Sequence, residues 1–154
     1  HEEGSLNMRR PLIIGEAPSK DGDPARPIEG RIGQRLADCC GMSLVQFMSA
    51  FGRMNLLNER QGLDGKGSTF DANEARAVAE ACKPQLDGGV VLLLGKRVAA
   101  AFGLHGAAYF TEHDVNGATV HVVPHPSGIN RWWNDEAHEM KMIEFMHGIV
   151  RKLG

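Results

Sequence analysis

The chain has 154 residues, 42% of them hydrophobic and 23% charged, and a net charge of −2. That length holds one domain with a real core, and the composition is that of a soluble globular fold. It excludes coating of nucleic acid through a global positive field, and no apolar run approaches the roughly 20 residues of a membrane span.

Residues 1–7 read as a tag and linker remnant, Met8 as the native start, and 8–154 as a single domain. No signal peptide is visible. Three cysteines, two of them adjacent (Cys39, Cys40, Cys82), argue against a disulfide framework and for a reducing compartment. A cytoplasmic location follows as the expectation.

The first strand is predicted over Pro11–Gly15. A long loop rich in proline and acid follows, from Ala17 to Gly30. Ile32, Leu36 and Cys39/Cys40 fall at helical spacing, and Gly41 supplies the stop. A short helix from Leu44 to Phe51 has Ser43 as its N-cap. Met54–Leu57 reads as a short buried strand, and Gly62–Ser68 as a glycine-rich loop. Asp71-Ala72-Asn73-Glu74 resembles a capping box opening a helix to Lys83, with Ala75, Val78, Ala79 and Cys82 on its apolar face.

Gly89–Gly95 is apolar throughout, as expected at the centre of a parallel sheet. A helix from Lys96 to Phe102 follows directly. Tyr109–Asp114 is ambiguous. Ala118–Pro124 is the last strand, and Asn134 is expected to cap a helix running to Leu153. Acids open that helix and bases close it, and Met140, Ile143, Ile149 and Leu153 form its expected buried stripe. The alternation predicts a three-layer α/β/α sandwich around a central, mostly parallel, four-stranded sheet.

Two strand ends carry the chemistry. Leu12-Ile13-Ile14-Gly15-Glu16-Ala17-Pro18 places a carboxylate after the first strand. His121-Val122-Val123-Pro124-His125-Pro126 places an imidazole after the last. Ligands of open α/β sheets sit at the carboxyl ends of strands. If the two strands lie side by side, Glu16 and His125 face one crevice. Taken singly, Glu16 also reads as a solvated loop acid and His125 as a turn cap.

Gly62–Thr69 lacks the spacing of a phosphate loop. His121 and His125 are four apart, but Pro124 and the strand pattern forbid the helix that would pair them, so no metal site is expected. Of Trp132 and Trp133, one is expected to close the core and the other to be available for stacking on a base.

These segments resemble the uracil-DNA glycosylase superfamily. Gly15-Glu16-Ala17-Pro18 looks like the first motif of its iron–sulfur branch, and Gly30-Arg31-Ile32-Gly33-Gln34-Arg35-Leu36 like that branch's continuation. Met54-Asn55-Leu56-Leu57-Asn58 is similar to the strand carrying the base-reading asparagine. His125-Pro126-Ser127-Gly128 is similar to the second motif.

The resemblance implies hydrolysis of the N-glycosidic bond of uracil or a modified pyrimidine flipped out of DNA. It assigns Glu16 to the attacking water and His125 to the leaving base, both as catalytic residues. Asn55, Ile28, Gly15 and Ala17 would bind the base. Ser19, Lys96, Ser127, Gly128, Ile129 and Arg131 would contact DNA, with Ile129 as a wedge. That branch carries four cluster cysteines where this chain has three poorly spaced ones, so no cofactor is expected. The expected partner is DNA, single-stranded or a duplex with a flipped base, engaged by a monomer with no membrane role. Two other readings stay open: a base-binding protein without catalysis, and a hydrolase of free nucleosides or nucleotides.

Overall fold

The computed structural model describes residues 10–18, 27–57, 71–126 and 131–152. Within them lie five strands: β1 (Leu12–Gly15), β2 (Gly52–Asn55), β3 (Val90–Leu94), β4 (Glu112–Val115) and β5 (Ala118–Val123). The helices are α1 (Gly30–Cys40), α2 (Leu44–Ala50), α3 (Ala72–Cys82), α4 (Lys96–Ala101) and α5 (Glu136–Arg151). Short 3₁₀ turns cover Lys83–Leu86 and Arg131–Asn134.

The strands form one sheet in the order β2-β1-β3-β5-β4. The first four are parallel neighbours, with Gly15 opposite Asn55, Ile14 opposite Leu93 and Leu94 opposite Val123. The fifth, β4, runs antiparallel to β5. The fold is the expected α/β sandwich, but its sheet has five strands rather than four. The extra one lies in the ambiguous stretch, joined to β5 by Asn116-Gly117, whose φ angles are both positive at 54° and 87°. That dipeptide is the strongest short hairpin signal a sequence offers. Glu112-His113-Asp114 is polar, however, and hides the strand at a solvated edge.

Side chains alternate across the sheet and so divide the core in two. Ile14, Val91, Leu93, Val120 and Val122 face Ala75 and Ala79 of α3 and Val98 and Ala99 of α4. Ile13, Leu92, Leu94 and Val123 face Leu36 of α1, Phe47 of α2, and Met142, Met146 and Ile149 of α5. β3 is the centre of both halves, and each leucine buried there contributes about 1.5–3 kcal/mol.

Local signals set the helix ends. Ser43 and Gln46 form a capping box at α2, and the Asp71 carboxylate accepts from the backbone N–H groups of Asn73 and Glu74. Three expectations are corrected. The cap of α5 is Asp135, whose carboxylate accepts from Ala137 N–H, and Asn134 belongs to the preceding 3₁₀ turn. Met140 is 55% exposed, while Met142 and Met146 are buried in its place. β2 begins and ends two residues earlier than expected, so Asn55 is its last residue. Gly62–Ser68 and Leu153 lie outside the described residues.

Candidate active site

The parallel strands deliver their carboxyl ends to one edge of the sheet. β1 stops at Gly15, and the next residues leave it along a fixed path. Leu56 N–H donates to Gly15 O at 3.0 Å and Leu57 N–H to Glu16 O at 2.9 Å. The pairing with the β2 end therefore continues past the strand and holds the Glu16 backbone.

β1 and β5 are not neighbours, because β3 runs between them. Glu16 and His125 meet across the end of β3 instead. A Cβ at Gly95 would lie 3.3 Å from the His125 Cβ and 4.0 Å from Glu16 Oε2. The missing side chain keeps this point open. Gly95 N–H donates to Val123 O at 2.7 Å, which fixes the Gly95 backbone against the end of β5.

Asn55 enters from the other side. A Cβ at Gly15 would lie 2.6 Å from Asn55 Oδ1 and 3.5 Å from Ile28 Cδ1. The amide thus lies directly over the strand end, in space that any other residue at position 15 would occupy. Glu16, Asn55, His125 and Ile28 gather at the ends of β1, β2, β3 and β5.

Ile28 is buried and has φ of 58°. A β-branched residue in the left-handed region is an outlier, at a cost of roughly 1–2 kcal/mol. Its surroundings hold it there. Arg53 Nη1 donates to Pro27 O at 3.0 Å and sits 3.5 Å from Glu29 Oε2. Gly33 leaves room for the Ile28 carbonyl, which a Cβ there would meet at 2.5 Å. Strain of this kind concentrates at functional sites.

Arg97, in the first turn of α4, grips the Glu16 carboxylate with two hydrogen bonds. Its Nη2 donates to Oε1 at 2.9 Å and its Nε to Oε2 at 3.2 Å. This two-pronged geometry fixes the carboxylate plane as well as its position. The Glu16 side chain is 19% exposed and that of Arg97 51%. Arg97 was not among the expected site residues. The partners are 81 positions apart, and no sequence spacing links them.

His125 is largely buried. Burial pushes its pKa below the usual histidine value, and nearby Arg97 pushes the same way, while Glu16 pulls it back up. The imidazole is thus held neutral at pH 7. Trp133 Nε1 donates to His125 O at 2.8 Å, and the Arg35 guanidinium lies 4.1 Å over the Trp133 ring. Trp133 is the tryptophan that closes the core. Trp132 gives a ring face to His138, stacked at 4.7 Å.

Of the other expected contacts, Ala17 is half-buried against the α3–α4 half of the core. Lys96 is exposed beside Gly95, donates to Ala107 O, and lies 4.4 Å over the Tyr109 ring. Arg131 is exposed. Ser19, Ser127, Gly128 and Ile129 lie outside the described residues.

The chain's three cysteines do not fit an iron–sulfur cluster. Cys39 and Cys40 are buried with α1 on one side of the sheet, and Cys82 belongs to α3 on the other. Burial pushes the two adjacent thiols up to about 11 and about 12. Among the described residues no group of three or more His, Cys, Asp or Glu side chains is placed to hold a metal ion. No described helix is long and apolar enough to cross a membrane.

A family model described as the uracil DNA glycosylase superfamily matches residues 1–147. No curated protein matches the chain.

Proposed function

The chain belongs to the uracil-DNA glycosylase superfamily, and on that premise we propose that it hydrolyses the N-glycosidic bond of uracil or a modified pyrimidine flipped out of DNA. The observation that carries this reading is the meeting of Glu16, Asn55 and His125 around the open backbone of Gly15 and Gly95.

A flipped base needs an edge reader, a platform and a leaving-group stabiliser. The Asn55 amide both donates and accepts, and so suits a pyrimidine edge. Ile28 offers the platform, with an apolar face in place of an aromatic ring. As the bond from C1′ to the base breaks, its electron pair departs with the base. Neutral His125 then donates a hydrogen bond to the developing anion without having to lose a charge of its own. The water oxygen bonds to C1′, and its proton passes to Glu16. The Glu16 charge also favours a cationic sugar, and Arg97 holds the carboxylate in one orientation. The proposal takes residues 8–154 as one domain acting as a monomer in the cytoplasm, with Lys96 and Arg131 as DNA contacts.

The grip of Arg97 on Glu16 favours a second reading, in which the site binds a base without cleaving it. A single-turnover assay on a uracil-containing single-stranded oligonucleotide, developed by alkaline strand scission, separates the two. Abasic product that slows strongly in Glu16→Gln and His125→Ala supports catalysis. Absence of product from uracil and from a panel of modified pyrimidines would sink it. Binding of intact substrate that is lost in Asn55→Ala would then favour the second reading.

A further inference from the structure

Behind the Glu16–Arg97 pair lies a cleft that the catalytic reading does not use. It is a cavity of about 200 Å³ between α3 and α4, lined by Ala72, Arg76, Arg97, Ala100, Ala101 and His105. Two arginines and an imidazole from three segments surround a floor of alanine methyl groups. Its described lining includes no carboxylate. In a chain of net charge −2, the lining itself carries only cationic charge, the Glu16 carboxylate holding Arg97 from outside it, and a cleft lined by one sign of charge focuses the field on what enters.

The size narrows the ligand. Small-molecule sites run to roughly 300–1,000 Å³; this cleft is smaller, and a single phosphate group suits it. Guanidinium forks match phosphate oxygens two at a time; Arg76 carries such a fork, while the Nη2–Nε edge of Arg97 already holds Glu16. Arg97 adds a connection, because the same side chain that lines the cleft reaches Glu16 through two hydrogen bonds.

We infer that this cleft is a phosphate subsite, taking one phosphodiester of the strand that carries the target base. Resting on the glycosylase reading, it makes Arg97 a positioning residue shared by two anions. An incoming phosphate and the Glu16 carboxylate both face its guanidinium, so seating of the strand and orientation of the carboxylate are linked. Arg76 and His105 belong to the strand alone.

The test is binding of a single-stranded oligonucleotide carrying an abasic tetrahydrofuran, which cannot be cleaved, followed by fluorescence anisotropy across a salt series. Each phosphate contact on a single strand contributes about 0.7 to the slope of log K against log salt. Arg76→Ala and His105→Ala, both at exposed positions, should each weaken binding about three- to tenfold. Arg76→Ala should also reduce the slope by about 0.7. A scan with uncharged methylphosphonate linkages should find one linkage that weakens the native protein and leaves Arg76→Ala unaffected.

An unchanged slope, or an Arg76→Ala loss that is equal at every linkage, would overturn the subsite. So would an equal loss for deoxyuridine monophosphate, which would make the ligand a terminal phosphate rather than a diester. The two readings fail separately. Oligonucleotide binding with this signature, but without abasic product from any base, refutes glycosylase action alone. Cleavage with an unchanged slope refutes the subsite alone.

Discussion

Replacing Gly15 by Ala adds one methyl group at the most crowded point of the crevice. The new Cβ would stand 2.6 Å from Asn55 Oδ1, against 3.4 Å for ordinary contact, so the amide must withdraw by about 0.8 Å. The contact with Ile28 Cδ1, at 3.5 Å, is already ordinary. What moves is the end of a flexible side chain, so the fold should bear the change easily. Alanine is also favoured over glycine within a strand by roughly 0.5–1 kcal/mol. Stability should therefore hold or rise slightly while the base-reading group is misplaced. A misplacement near 1 Å costs about a hundredfold in rate, so a loss of about 10- to 100-fold in kcat/KM is expected, or about 1.4–2.7 kcal/mol of transition-state stabilisation. Single-turnover cleavage of the uracil oligonucleotide and a thermal melt measure the two sides. Asn55→Ala supplies the control: if the methyl acts through the amide, adding Gly15→Ala to it should cost little more. A Gly15→Ala rate within threefold of the native value, or additive losses in the double variant, would refute the reasoning.

Arg97→Ala removes one of the influences that hold the His125 pKa down and leaves the attraction of Glu16 opposed by burial alone. The imidazole should then protonate at higher pH, and the acid limb of the single-turnover pH–rate profile should move upward; a limb that stays in place would separate His125 from the rate. Trp133→Phe keeps an aromatic ring beneath Arg35 but deletes the 2.8 Å bond to the His125 carbonyl. A stability loss near 1 kcal/mol with a roughly tenfold slower rate is expected, and a native rate would mean that His125 needs no such anchor. Gly117→Ala puts a Cβ at φ 87° and 1.9 Å from Asp87 Oδ1. It should cost at least about 1–3 kcal/mol, seen as a fall in Tm of several degrees, with cleavage per folded molecule unchanged.

The parallel core was legible because it is written in periodicity. Val90–Leu94 is apolar at every position, and Gly95 ends it where a helix must begin. The strand ends at Gly15 and Val123 were legible for the same reason, and they led to Glu16 and His125. β4 was not, since its residues Glu112, His113 and Asp114 carry no hydrophobic signal and only Asn116-Gly117 betrays the hairpin. In α5 the apolar residues allow more than one stripe, and only packing against α1 and the sheet selects Met142 and Met146 over Met140. The Arg97–Glu16 pair is purely tertiary. It depends on β3 placing α4 beside the β1 end, which no local pattern records.

The polar hairpin strand β4 has a consequence for how the crevice deforms. It covers the flank of β5, so the strand leading to His125 is hydrogen-bonded on both sides. Among the described residues β2, which ends in Asn55, is paired on one side only, to β1. An outer strand with a single partner opens at lower free energy than one held from both flanks. The two walls are therefore unequal in compliance: the His125 wall is a stiff abutment, and the Asn55 wall is the one with give. On the proposed glycosylase reading, accommodation of differently substituted pyrimidines falls to the Asn55 side, while the alignment of the bond being broken stays fixed by the other.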